Sequence, residues 1–137
     1  GLSREDVELG VRFVNGRIEV YYVIKKDKKV KFHDSGDFVL SASMDASMKL
    51  FDVNAEKSRQ AYRGHTDSVN SVNFQPFTNF FVSGSSDKTV SIWDMRTGLT
   101  IQTFYGHLNS VNDDSFSVSG HLICSCDSDG IVKVWDI

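Results

Sequence analysis

Arg63-Gly-His-Thr-Asp-Ser-Val-Asn70, followed by Ser85-Ser-Asp-Lys-Thr-Val-Ser-Ile-Trp-Asp94, decides how this chain is read, because its parts recur at one spacing. Trp93-Asp94 returns 42 residues later as Trp135-Asp136 and 42 earlier as Phe51-Asp52. Asp87 is matched by Asp45 and Asp129, Ser83 by Ser41 and Ser125, Phe74 by Phe32 and Phe116, and Gly64-His65 by Gly106-His107. Several residue classes holding one register through three copies mark a repeat, whose units bury their apolar faces against one another.

The local signals inside a copy are those of strands. Ser68 to Phe74 alternates in part, Asn79 to Gly84 is a dense apolar run, and Thr89 to Trp93 alternates strictly. Turn residues separate them at Gln75 to Thr78, Ser85 to Lys88 and Met95 to Gly98, and Leu99 to Phe104 supplies a fourth strand. Four short strands in a period of about 40 to 45 residues describe a propeller blade. The expected fold class is therefore all-β, with blades of four antiparallel strands, a to d, in a partial propeller. Blades are expected at residues 30–63 (degenerate), 64–105 and 106–137, the last without its strand d.

Residues 1–29 lack the register. Asn15-Gly16 stands between two runs rich in β-branched and aromatic residues, a strong hairpin signal. The segment reads as a degenerate half-blade or as an unrelated leader.

Gly-His about 28 positions ahead of Trp-Asp, with an Asp in the turn between them, resembles the WD-repeat family over roughly residues 30–137. The resemblance implies that His65, Ser83, Asp87 and Trp93 form a buried hydrogen-bonded chain, repeated as His107, Ser125, Asp129 and Trp135. In the first copy Ser41 and Asp45 remain, Phe51 replaces the tryptophan, and Val23 stands where histidine is expected. The same residue types could make a serine hydrolase triad, but an active site does not need copying three times, and buried imidazole and carboxylate groups are costly unless partnered. No catalytic residue, metal ligand or cofactor is expected.

The family also implies protein binding on the rim where strand a begins. By position that rim is Ser68, Asn70 and Ser86 in the second copy, Ser110, Asn112 and Ser128 in the third, and Met44 with Lys26 and Lys28 in the first. These are read as outward-facing, small and polar, which suits a flat protein contact better than a deep ligand site.

Composition fits a globular β protein: 40% hydrophobic, 12% aromatic and 24% charged residues. A net charge of -3 argues against general nucleic-acid binding. With no apolar run of about 18 residues and no signal-peptide pattern, no membrane role and a cytoplasmic location are expected; a cytoskeletal one is implied only by the family resemblance. Lys25-Lys26-Asp27-Lys28-Lys29 with Lys31 is read as a solvated loop leading into the first strand a, or else as a contact for an acidic partner. Cys124 and Cys126 share register with Leu40 and Ala42 and with Val82 and Gly84, and are read as reduced thiols of a blade interior.

Gln75-Pro-Phe77 and Thr103-Phe-Tyr-Gly-His107, with the stretch quoted first, are most similar to the axonemal central-apparatus branch of the family, the sperm-associated antigen type. That resemblance implies a non-catalytic, microtubule-associated scaffold of cilia and flagella. The alternative is a generic adaptor of a ubiquitin ligase, splicing or microtubule-severing complex. Because a ring needs at least about four blades, two outcomes are expected for the assembly: chains joined head to tail, each hairpin completing a neighbour's last blade, or a piece of a longer propeller.

Overall fold

The computed structural model describes residues 7–24 and 27–137. Strands β1 (Val7–Val14) and β2 (Arg17–Ile24) form a two-stranded sheet of their own. Their register closes Val14 on Arg17 and leaves Asn15 and Gly16 as the turn. Both turn residues have positive φ, 49° and 75°, the mirror-image turn whose twist matches that of the strands it joins.

Three antiparallel meanders follow. Blade 1 comprises β3 (Asp27–Phe32), β4 (Phe38–Ser43), β5 (Met48–Asp52) and β6 (Lys57–Tyr62). Blade 2 comprises β7 (Val69–Phe74), β8 (Phe80–Ser85), β9 (Val90–Asp94) and β10 (Thr100–Phe104). Blade 3 has three strands, β11 (Val111–Phe116), β12 (Leu122–Asp127) and β13 (Val132–Asp136). There is no helix among the described residues. The architecture is all-β, with WD-repeat-like blades in a partial propeller.

The irregularities repeat along with the strands. A register shift interrupts β3–β4 at Asp27/Lys29, β7–β8 at Val69/Ser71 and β11–β12 at Val111/Asp113, so the sequence period reaches into backbone bulges. Such bulges bend and twist a strand locally.

The core lies between consecutive blades. Leu40, Ala42, Met48 and Leu50 of blade 1 pack with Tyr62 against Val69, Val72, Phe81 and Trp93 of blade 2. Val82, Val90, Ile92 and Phe104 of blade 2 pack with Val111 and Ile123 of blade 3. Strand d locks the seam with an aromatic ring: Tyr62 meets Phe81 edge-on at 4.9 Å and donates its hydroxyl to Met95 O at 2.6 Å. Phe104 plays the corresponding part against Trp135 at 5.0 Å. Such contacts add roughly 1 kcal/mol each beyond area burial.

This arrangement explains why register mates differ in exposure. Phe74 and Phe116 each pack on the core shared with the preceding blade, whereas Phe32, with no such blade beneath it among the described residues, is 68% exposed. Cys124 and Cys126 depart from the interior expected of them: Cys124 is exposed and Cys126 half-buried. The strand-b face that carries them is covered in blades 1 and 2 by the next blade, and none of the described residues forms such a blade here. The lysine cluster also differs from its reading, because β3 begins at Asp27 and puts Lys28, Lys29 and Lys31 on a strand rather than a loop. Lys25 and Lys26 lie outside the described residues.

Candidate functional site

In blade 2 the loop leading into β7, the β8–β9 turn and β9 converge on one buried serine. Trp93 Nε1 donates to Ser83 Oγ at 2.8 Å, and Ser83 Oγ lies 2.6 Å from His65 Nε2. His65 Nδ1 lies 2.8 Å from Asp87 Oδ2. With the carboxylate able only to accept, the proton order follows: indole to hydroxyl, hydroxyl to imidazole, imidazole to carboxylate. Burial works against ionisation of Asp87, yet hydrogen bonds from His65 and Thr89 outweigh it and hold its carboxyl well below the usual range. Gly64 is required by contact as well as by its φ of 156°, since a Cβ there would stand 3.0 Å from the Trp93 ring.

Blade 3 rebuilds the chain with one substitution that the register did not foretell. Trp135 Nε1 donates to Ser125 Oγ at 2.8 Å, and Ser125 lies 2.7 Å from His107 Nε2. The carboxylate on His107 Nδ1, however, is Asp127 at 2.7 Å, in place of the expected Asp129. Asp127 occupies the register position of Ser43 and Ser85. Its Oδ1 accepts the Asp129 and Ile131 amides, so one side chain both caps the turn and holds the imidazole. Ile131 has no hydroxyl to offer an aspartate at 129, whereas Thr89 donates to Asp87 in blade 2. Asp129 turns outward and accepts from Asn109 instead. The hydrogen bond from His107 lowers the Asp127 carboxyl against the opposing effect of burial.

Blade 1 has no such chain among the described residues. Ser41 is fully buried, and its Oγ has no hydrogen-bond partner among them. Phe51 is buried where the indole would be and has no N–H to give. Asp45 accepts from Ser47 N–H at 2.9 Å and pairs with the buried Lys49 ammonium at 3.4 Å. Burial opposes the charge on Asp45, but these bonds bring its carboxyl down to about 2.

The predicted rim is engaged rather than outward-facing over much of its extent. Ser68 is buried, with Oγ donating to Asn70 Oδ1 at 3.2 Å. Asn70 donates to Ser86 Oγ at 2.9 Å and, across the seam, to Val111 O at 2.8 Å. Ser110 Oγ donates to Ser86 Oγ at 2.8 Å. Short amide and hydroxyl side chains are suited to satisfy the backbone where two blades meet. Asn112 and Ser128 are exposed and bonded to each other, and Met44 is 59% exposed.

Sequence reading missed a second polar junction. Asp114 is buried at the register position of Val30 and Val72. Ser71 Oγ donates to its Oδ2 at 2.6 Å, and Asn73 Nδ2 donates to its Oδ1 at 2.9 Å, stitching β7 to β11. Burial raises its carboxyl to about 7, against the pull of these bonds. Gly84 gives the clearance, because a Cβ there would come within 2.6 Å of Ser71 Oγ and 2.9 Å of Asp114 Oδ2. A carboxylate in an otherwise valine column was the available signal. The exposed apolar side chains were missed too: Phe77 and Val118 in the a–b turns are each 95% exposed, and Leu108 is 84% exposed.

Chemically, His65 and Ser83 have triad distances but not triad accessibility. Ser83 is fully buried, and its oxygen already accepts the Trp93 indole. A search of curated proteins found no match to the chain. One family profile, described as WD domain, G-beta repeat (WD40), matches residues 28–52, 56–94 and 98–136, well over half of the chain. With three blades built to one plan and two of them closed by the same serine-centred chain, this protein belongs to the WD40 repeat family.

Proposed function

We propose that the chain is a non-catalytic protein-interaction scaffold, and that its place is the microtubule-associated central apparatus of ciliary and flagellar axonemes. The observation that carries the non-catalytic part is the closure of Ser83 and Ser125 by an indole on one side and an imidazole on the other. A serine so held, buried with an indole N–H bonded to its oxygen, has no path to substrate. A serine hydrolase probe is expected to leave both unlabelled; labelling lost in Ser83→Ala and Ser125→Ala would overturn this.

Exposed Phe77, Val118 and Leu108 support protein contact, because large apolar side chains on loops are what a partner covers. The axonemal placement is supported by Gln75-Pro-Phe77 and Phe104-Tyr-Gly-His107. Affinity capture from ciliated and non-ciliated cells tests it. Tubulin-containing axonemal material from ciliated cells alone is the expected result, and the same partners from both sources would mean a generic adaptor of another complex.

A different surface supports a reading of the assembly. Val132 and Val134 on β13 are 67% and 65% exposed, which suits chains joined head to tail into a closed ring. A folded monomer by light scattering at low micromolar concentration refutes that assembly.

A further inference from the structure

Two residues before the tryptophan position, the c strands carry Lys49, Ser91 and Lys133 in register. In blade 1 the Lys49 side chain is buried, and its Nζ reaches Asp45 Oδ2 at 3.4 Å. Ala61, its cross-strand mate, is small enough to let the stem lie there. In blade 3, Lys133 runs beside the glycine of the lead-in loop, with Cε and Nζ 3.8 and 3.9 Å from where a Cβ on Gly106 would stand. Blade 2 has only a serine at this place, and there a pocket of about 290 Å³ opens. Its walls include Gly64, Asp87, Thr89, Ser91, Trp93 and Thr103. Gly64 is the register mate of Gly106, and Asp87 that of Asp45.

We propose that this pocket binds a primary alkylammonium ion, supplied by a lysine side chain of a partner or by a free aliphatic amine, in the place that the sister blades fill with lysines of their own. The site goes beyond the scaffold reading and stands without it. The stem lies beside Gly64, where the Lys133 stem lies beside Gly106 in blade 3, covering apolar surface while its head stays polar. The three N–H donors meet hydroxyl oxygens of Thr89, Ser91 and Thr103, which have lone pairs to offer. Asp87 contributes its charge through space, since His65, Thr66 and Thr89 already occupy its oxygens. A neutral ligand of the same shape lacks that attraction.

The test is a titration of the full chain followed by NMR at the Trp93 and Trp135 indole N–H and the Gly64 and Gly106 amides. The probes are n-butylammonium chloride and Nα-acetyl-lysine methylamide, with n-butanol and the Nε-acetylated lysine amide as neutral controls. The expected result is a saturable one-to-one shift at Trp93 and Gly64 with the charged probes and none with the neutral ones. Saturation by both charged probes makes partner lysines able to enter, and saturation by butylammonium alone assigns the site to free amines. Ser91→Lys is expected to abolish the shift by filling the pocket from within. The proposal is overturned if neither charged probe gives a saturable shift, if butanol binds as well as butylammonium, or if folded Ser91→Lys binds undiminished.

Discussion

Ser41→Ala and Ser83→Ala make one chemical change at equivalent positions of two blades, and the structure gives them opposite signs. Both hydroxyls are fully buried. Ser41 Oγ has no partner among the described residues, so its removal relieves an uncompensated desolvation and leaves only a small void, a gain of about 1 kcal/mol. Ser83 Oγ serves two partners at 2.6 and 2.8 Å, and its removal leaves His65 Nε2 and Trp93 Nε1 buried and unpaired. Two orphaned groups cost roughly 2–4 kcal/mol together. At this size about 1 kcal/mol moves Tm by about 3 °C, so the two variants should separate by roughly 10 °C or more, with the wild type between them. Urea unfolding followed by tryptophan fluorescence, with unchanged m, gives the same quantities as free energies. If Ser41→Ala is as destabilising as Ser83→Ala, Ser41 has a partner, and the account of blade 1 as a blade without its fastening is wrong.

Asp127→Asn should lower the unfolding midpoint well beyond Asp129→Asn, because Asp127 holds His107 while Asp129 faces solvent; equal effects by thermal denaturation would restore the register-based assignment. Gly84→Ala should cost about 1–3 kcal/mol through overpacking at the blade 2–blade 3 seam, measured by urea unfolding. Asp114 gives a pH effect whose sign follows from its raised folded-state pKa. The stability it contributes when protonated is fully present below its ordinary value of 3.8 and is lost as pH rises through about 7. Asp114→Asn keeps the hydrogen-bonding shape and should flatten that decline between about pH 4 and 7, a difference on the order of 2–4 kcal/mol at pH 8. An unchanged pH profile would count against a buried, charge-averse Asp114.

Spacing alone carried the blade plan. A period of 42 residues, strand-length apolar runs and Asn15-Gly16 point to strands β1 to β13, the start of β3 at Asp27 excepted, because alternation, turn chemistry and the twist of a two-residue hairpin act over a few neighbouring residues. The chain through Ser83, His65 and Trp93 was legible through the resemblance to the WD-repeat family, and the period carried it on to Ser125, His107 and Trp135. Register failed where two residues competed for one partner. Asp127 and Asp129 both lie within reach of the turn, and the isoleucine at 131 and the bonds to the turn amides decide between them.

What the tertiary structure alone decided is exposure. Leu40, Val82 and Cys124 share one register position, yet Cys124 is open because burial in a propeller belongs to the neighbouring blade. Likewise Ser68 is buried and Asn70 bonds across to Val111 because another blade stands beside them, a fact no single strand contains. Sequence determines the blade, since its forces are local and periodic. Which faces remain for partners is settled by the packing of blade on blade, where contact between residues some 40 positions apart sets the energy.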